Sequence, residues 1–211
     1  MIDYRVYLVT DDPSRYSGNW LDNVVAAVEG GVTCVQYRDT ESDGEKQYER
    51  LRSLRDAIGK TPIIVNNDAA LARAVKAEGV HVGQGDMPPP RVREIVGPRC
   101  EIGFSITDLS QVPELERLAA LPSRPIDLIG IGPVYDARKT KIDAAREMGL
   151  EGLSAIVART SGLVNCAIGG ITLERAPGIL SAGAQGLAIV SAFSKSDDPF
   201  AVARDFRRLF T

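Results

Sequence analysis

Two stretches carry the strongest chemical signal in this chain: Cys166-Ala167-Ile168-Gly169-Gly170-Ile171-Thr172, and further on Leu187-Ala188-Ile189-Val190-Ser191. Each is an apolar run that ends in small residues just ahead of a helix-like segment. Small residues at the carboxyl end of a buried strand let a ligand approach bare backbone N–H groups. The N-terminus of the following helix adds partial positive charge, so such a place suits a phosphate. Two of them in tandem, last in a series of strand–helix units, form the pattern of the phosphate site of a (β/α)8 barrel.

The other strand ends are rich in amides and cations. Strand two ends Gln36-Tyr37-Arg38-Asp39, and strand three ends Asn66-Asn67-Asp68. Strand four supplies His81, Gln84 and Asp86, and strand five supplies Ser105. The loop after strand six carries Arg138, Lys139, Thr140, Lys141 and Asp143. No Ser/His/Asp order and no histidine cluster is present. This set suits the binding and positioning of anionic groups, with Mg2+ held by Asp86 and a neighbour. Mg2+ takes one or two carboxylates and completes its shell with substrate phosphates and water. Arg38 offers a planar fork for a diphosphate, and Lys141 a mobile point charge.

Each of these residues also has a plainer reading. Gln36 and Arg38 share one strand face, and an inward cation needs a partner, so this pair points to a ligand. Asp68 reads as the N-cap of the next helix, with at least one of Asn66 and Asn67 facing the ligand. His81, the only histidine, sits in an apolar strand and reads as a satisfied core group. The three cysteines, Cys34, Cys100 and Cys166, have no paired spacing. That argues against both a disulfide framework and a zinc site.

Positioning these groups requires eight strands: Val6–Thr10, Cys34–Arg38, Pro62–Asn66, Val80–Gly83, Glu101–Ser105, Leu128–Gly132, Val164–Ile168 and Gly186–Val190. Helices are predicted between and after them at Asn19–Glu29, Gly44–Ile58, Ala69–Glu78, Pro89–Val96, Ser110–Leu121, Leu150–Thr160, Leu173–Ser181 and Pro199–Phe210. Leu51, Leu54, Arg55 and Ile58 show helical spacing with one buried side. Gly30-Gly31, Gly79 and Gly183 read as helix stops. Regular alternation implies parallel pairing, with both sheet faces covered. Strand one ends Thr10-Asp11-Asp12-Pro13, without the glycine-rich turn of a dinucleotide fold. The prediction is α/β: a single-domain (β/α)8 TIM barrel over residues 1–211, with its site at the carboxyl ends of the strands. Pro133–Met148 is the longest connection without periodicity.

The bulk properties exclude several function classes. With 211 residues and a net charge of -3, the chain gives no electrostatic case for nucleic acid or membrane binding. Its apolar runs are strand-sized, too short to span a bilayer. The opening Met1-Ile2-Asp3-Tyr4-Arg5 enters a strand at once, unlike a signal peptide, and the expected location is cytoplasmic.

Taken in order, several segments resemble one family. They are Val35-Gln36-Tyr37-Arg38-Asp39, Val65-Asn66-Asn67-Asp68, Gly79 through Met87, Gly103-Phe104-Ser105, Gly132-Pro133-Val134-Tyr135, Thr140-Lys141-Ile142-Asp143-Ala144 and Ile168-Gly169-Gly170-Ile171-Thr172. Tyr7-Leu8-Val9-Thr10-Asp11 and Val190-Ser191-Ala192 agree as well. The set is similar to thiamine-phosphate synthase (thiamine-phosphate pyrophosphorylase). The resemblance implies a Mg2+-dependent (β/α)8 transferase that joins hydroxymethylpyrimidine diphosphate to thiazole phosphate, giving thiamine phosphate and pyrophosphate by a dissociative route. It implies small-molecule substrates, no nucleic acid or membrane partner, and an enzyme type that is often oligomeric.

Carried onto this chain, the resemblance assigns the pyrimidine diphosphate to Gln36, Arg38 and Asn66. Asp86 would coordinate Mg2+, and Ser105 would touch the pyrimidine or its diphosphate. Thr140 would bind the thiazole substrate, Lys141 the pyrophosphate, and Gly170, Val190 and Ser191 the thiazole phosphate. Arg38, Lys141 and Ser105 would carry the catalysis. Three departures stand out. The family's Gln-x-Arg-x-Lys ends here in Thr40, which removes one cation. Its second metal ligand, an aspartate, is here Asn67. Its Thr-x-Thr-Lys loop is here Arg138-Lys139-Thr140-Lys141, where Arg138 would replace the lost cation if the loop folds inward. The losses at Thr40 and Asn67 raise two alternatives: a thiazole tautomerase-like paralogue, and a catalytically dead thiazole-phosphate-binding regulatory protein. Retention of Gln36, Arg38, Asp86 and Thr140-Lys141 favours the synthase.

Overall fold

Short β-branched runs alternate with amphipathic segments along the whole chain, and in the computed structural model they close on themselves. The structure describes residues 1–16, 18–136 and 145–211. The strands are β1 (Val6–Val9), β2 (Cys34–Tyr37), β3 (Ile63–Asn66), β4 (Gly79–Val82), β5 (Glu101–Ile106), β6 (Leu128–Ile131), β7 (Val164–Ile168) and β8 (Gly186–Ile189). They form a closed barrel in sequence order. Every pair is parallel, and β8 returns to β1 with Tyr7 opposite Ala188. The helices are α1 (Trp20–Gly30), α2 (Gly44–Ile58), α3 (Ala69–Ala74), α4 (Pro89–Val96), α5 (Val112–Ala119), α6 (Gly149–Arg159), α7 (Ala176–Ser181), α8 (Ser191–Ser194) and α9 (Pro199–Arg207). This is the (β/α)8 architecture expected from the alternation.

Two apolar layers hold the barrel. Residues such as Leu8, Val35, Val65, Val80, Ile102 and Leu187 point outward and pack under the helices. Tyr4, Tyr7, Val9, Cys34, Ile64, Leu128, Cys166 and Ala188 fill the lumen. Both faces of each strand are therefore buried, which explains the continuous apolar runs. At the amino-terminal end of the lumen Tyr4 Oη donates to Glu101 Oε2 at 3.0 Å, and Ile2 N–H donates to Glu101 Oε1 at 2.7 Å.

Several boundaries differ from the expectation by one to four residues, and the largest shift is at the end of α3. α3 stops at Ala74, because Lys76 takes a left-handed conformation (φ 53°) and Ala77 N–H closes the end on Ala72 O at 2.9 Å. Gly79 is accordingly no helix stop but the first residue of β4. The short helix α8 and the 3₁₀ turn Pro13–Arg15 were not foreseen. Both are shorter than the windows in which periodicity shows. Asp68 caps α3 as expected, accepting from Leu71 N–H at 2.8 Å. All three cysteines are buried and unpaired. No described helix is long and apolar enough to cross a membrane.

Candidate active site

A cavity of about 200 Å3 opens at the carboxyl end of the barrel. Inward residues at strand ends line it because successive strand residues alternate faces. Gln36, Arg38, Asn66 and Ser105 come from β2, β3 and β5, while Gly169, Gly170, Val190 and Ser191 come from the ends of β7 and β8. Closure in sequence order sets these two groups on opposite arcs of the mouth. Asp86 and Asn67 lie outside this lining. Asp86 folds back on its own loop, Oδ2 accepting from Gly83 N–H at 2.7 Å. Asn67 is exposed at φ 63°, with its N–H on His81 O at 2.8 Å, a backbone shape that asparagine tolerates better than most residues. Arg138, Thr140 and Lys141 lie outside the described residues.

The polar arc is fixed from below. Gln36 Nε2 donates to Tyr7 Oη at 2.6 Å, and Tyr7 is fully buried in the lumen. Burial raises the Tyr7 pKa well above its ordinary value, so the phenol stays protonated. His81 Nε2 and Ser105 Oγ are 2.9 Å apart, and Gln84 Nε2 donates to Ser105 O at 2.7 Å. The imidazole has room because its neighbours on β5 and β6 are glycines. A Cβ on Gly103 would fall 2.2 Å from His81 Nδ1, and one on Gly130 2.9 Å from Cε1. His81 lines the cavity, and its Nδ1 is buried without a hydrogen-bond partner among the described residues.

Burial lowers the His81 pKa from 6.5 to about 4, against the opposing pull of the Asp86 carboxylate. The ring is therefore neutral at working pH. Between pH 6.5 and about 4 the unfolded chain binds a proton at this position that the folded chain refuses. Stability is then complete above pH 6.5 and falls as the pH drops toward 4, by roughly 3 kcal/mol in the limit. Urea unfolding of the wild type should lose that much more between pH 7 and pH 4 than unfolding of His81→Asn. Equal losses in the two proteins would place the histidine in solvent.

The apolar arc is made of backbone. Gly169 and Gly170 have φ of 100° and 62°, and a Cβ on Gly170 would lie 2.7 Å from Tyr135 Cβ. Arg175 clamps this turn, Nη1 donating to Gly170 O at 2.8 Å while the guanidinium stacks 4.4 Å from the Tyr135 ring centroid. Val134 and Tyr135 N–H groups donate to Ile168 O and Gly169 O at 2.9 and 3.2 Å, tying the β6–α6 connection to the end of β7. Val190 precedes the first turn of α8, whose N–H groups have no intrahelical acceptor.

Residues 6–193 match a family model described as thiamine monophosphate synthase. The thiamine-phosphate synthase of Vibrio campbellii is 40% identical over 203 residues, covering 95% of each chain. The chain belongs to the thiamine monophosphate synthase family. A second family relative, from Chloroflexus aurantiacus, is 39% identical over 211 residues, covering 99% of this chain and 94% of that one. The solved thiamine phosphate pyrophosphorylase from Pyrococcus furiosus superposes with a TM-score of 0.82 at 30% identity, covering 98% and 95% of the two chains.

Within this thiamine monophosphate synthase fold, three features escaped the reading of the sequence. Tyr7 supports Gln36, His81 lines the cavity, and Asp11 and Asp12 face Arg38. The signal for His81 lay in other strands, in the interior glycines Gly103 and Gly130. Tyr7 could not be oriented from its own strand, because β1 is buried on both faces and shows no alternation.

Proposed function

We propose that residues 1–211 act as one barrel unit that joins hydroxymethylpyrimidine diphosphate to thiazole phosphate, releasing pyrophosphate and forming thiamine phosphate. One observation carries this reading: one cavity presents Gln36, Arg38, Asn66 and Ser105 opposite the small-residue backbone of Gly169, Gly170, Val190 and Ser191. In this reading Gln36, Asn66 and Ser105 orient the pyrimidine diphosphate, and Arg38 faces its leaving group. Gly170, Val190 and Ser191 receive the thiazole phosphate. The bond from the pyrimidine methylene carbon to the diphosphate oxygen breaks with both electrons leaving on oxygen. The thiazole nitrogen then donates its lone pair to the cationic methylene carbon. No protein base is required, which agrees with a site without a triad. Catalysis rests on stabilising departing charge and aligning two substrates.

Mg2+ would be held by Asp86 and Asn67 together with the substrate diphosphate. Among the described residues no group of three or more His, Cys, Asp or Glu could hold a metal. That fits an ion bound mainly through substrate phosphate, with one protein carboxylate. When bound, the ion would neutralise charge on the leaving diphosphate. Thr140 and Lys141 would complete the site from the β6–α6 connection, with Arg138 as a further cation there.

The tautomerase-like alternative needs a proton shuttle poised near working pH. His81, at about 4, is poorly matched to that task. The deciding experiment mixes the protein with both substrates and Mg2+. Stoichiometric thiamine phosphate and pyrophosphate, abolished by chelator, establish the reaction. Binding of thiazole phosphate without turnover would move the regulatory reading to the front.

A further inference from the structure

The turn after β7 has its carbonyls taken and its N–H groups open. Tyr135 N–H donates to Gly169 O at 3.2 Å, and Arg175 Nη1 donates to Gly170 O at 2.8 Å. Among the described residues, none accepts from the N–H groups of Gly169, Gly170 or Ile171, and all three of these residues line the cavity. Successive open N–H groups in such a turn form a concave anion site. Arg175 itself is exposed and stands outside the cavity lining. Its backbone is seated on Thr172, its N–H lying 3.1 Å from Thr172 O and 3.3 Å from Oγ1. From there the guanidinium reaches to 4.4 Å from the Tyr135 ring centroid. Glycine at position 170 permits the approach, since a Cβ there would fall 3.1 Å from Arg175 Nη1.

We propose that Arg175 is a positioning residue for the phosphate cradle: it grips Gly170 from outside, braced on Tyr135, and so holds the N–H groups of Gly169, Gly170 and Ile171 ready for the phosphate of the thiazole substrate. The proposal rests on the synthase reading above, which puts that phosphate at Gly170. Two adjacent glycines, here with φ of 100° and 62°, have the widest conformational freedom of any residue pair. Freedom that must be given up when the phosphate binds lowers affinity. A donor locked on the Gly170 carbonyl removes it before the substrate arrives. Arginine suits this task, because its planar group donates along one edge while its face rests on an aromatic ring, which sets both distance and angle. A guanidinium on the carbonyl also polarises the Gly170–Ile171 peptide and makes the Ile171 N–H a stronger donor to an anion. The residues assigned to the pyrimidine diphosphate lie on the other arc of the mouth, so the effect belongs to one substrate alone.

The test compares wild type with Arg175→Ala, Arg175→Lys, Tyr135→Ala and Tyr135→Phe by steady-state kinetics in each substrate and by calorimetric titration with thiazole phosphate. For Arg175→Ala, KM for thiazole phosphate should rise about tenfold, the size of one lost charge-assisted hydrogen bond. Its calorimetric affinity should fall in parallel, while KM for the pyrimidine diphosphate and kcat at saturation stay in place. Arg175→Lys should recover part of the loss, since it keeps a donor and loses the planar stack. Tyr135→Ala, which leaves the charge and removes the brace, should raise the same KM about threefold, and Tyr135→Phe should raise it less. The double variant Arg175→Ala/Tyr135→Ala should be no worse than Arg175→Ala, because the two side chains act as one unit. An unchanged thiazole-phosphate KM and affinity in Arg175→Ala overturn the proposal, as does an equal rise in both KM values. Independent, multiplying effects of the two single changes overturn it too. If wild type binds thiazole phosphate and Arg175→Ala weakens that binding, yet no thiamine phosphate forms, the assignment stands and the synthase reading fails. If wild type turns over and Arg175→Ala matches it, only the assignment fails. A wild type that neither binds nor turns over removes both.

Discussion

Arg38→Ala is expected to lower kcat for thiamine phosphate formation by about 10²–10³-fold, the loss that follows removal of one preorganised donor aimed at developing charge. The reason is positional. Arg38 follows β2 directly, two residues beyond Gln36 on the same strand face, and both line the cavity. Its backbone is pinned to Thr10 through both N–H and carbonyl, so the guanidinium needs little reorganisation when the leaving diphosphate gathers charge. The next residue strengthens the arrangement. Asp39 accepts from Tyr37 Oη at 2.9 Å and from Arg50 Nη1 at 2.5 Å, and its other oxygen takes the N–H groups of Glu41 and Ser42. Arg38→Lys should recover only part of the rate, since a point charge replaces a planar fork. Initial rates at saturating concentrations of both substrates measure this. A near-normal kcat in Arg38→Ala would remove Arg38 from the chemistry and leave it as a surface ion pair.

Gly103→Ala should damage the protein twice. A methyl placed 2.2 Å from His81 Nδ1 and 3.0 Å from Cε1 and Cγ cannot be accommodated without moving the ring. The imidazole must shift within the cavity, and the 2.9 Å contact with Ser105 Oγ is lost. Overpacking of this kind costs about 1–3 kcal/mol, which lowers Tm by roughly 2–12 °C in a chain of this size. Catalytic efficiency toward the pyrimidine diphosphate should drop at least ~10-fold, since misplacement of a positioning group is costly. Gly162→Ala, with no atom within 4 Å of the new methyl, serves as a neutral control. Combining Gly103→Ala with His81→Ala should recover stability relative to the sum of the single changes, because the two side chains compete for one space. Strict additivity in that cycle would show that the clash is relieved elsewhere.

Much of the barrel was legible because both of its periodic signals are local. Eight apolar runs and the helical spacing between them depend only on neighbours in sequence, and the strands fall within one or two residues of expectation. The misses occur where local signals compete. Lys76 ends α3 early by adopting a left-handed turn that no lysine advertises, and Gly79 then opens β4 instead of closing a helix. The polar residues at strand ends were legible as a group for the same reason: alternation places Gln36 with Arg38, and a glycine pair after an apolar run marks a backbone cradle.

What the chain determined by itself, then, was which residues stand at the carboxyl ends of the strands and that they suit anions. Which of them meet was decided by closure of the barrel, since pairing β8 with β1 is a contact between distant parts of the chain. Pairing of neighbouring strands within the closed barrel sets His81 over Gly103 and Gly130 and puts Tyr7 beneath Gln36. It also joins Asp12 to Thr40 and brings Arg15 beside Arg38. Each of these contacts depends on the register between strands and the packing of loops at one rim. Those are properties of three-dimensional proximity that no spacing along a single strand encodes.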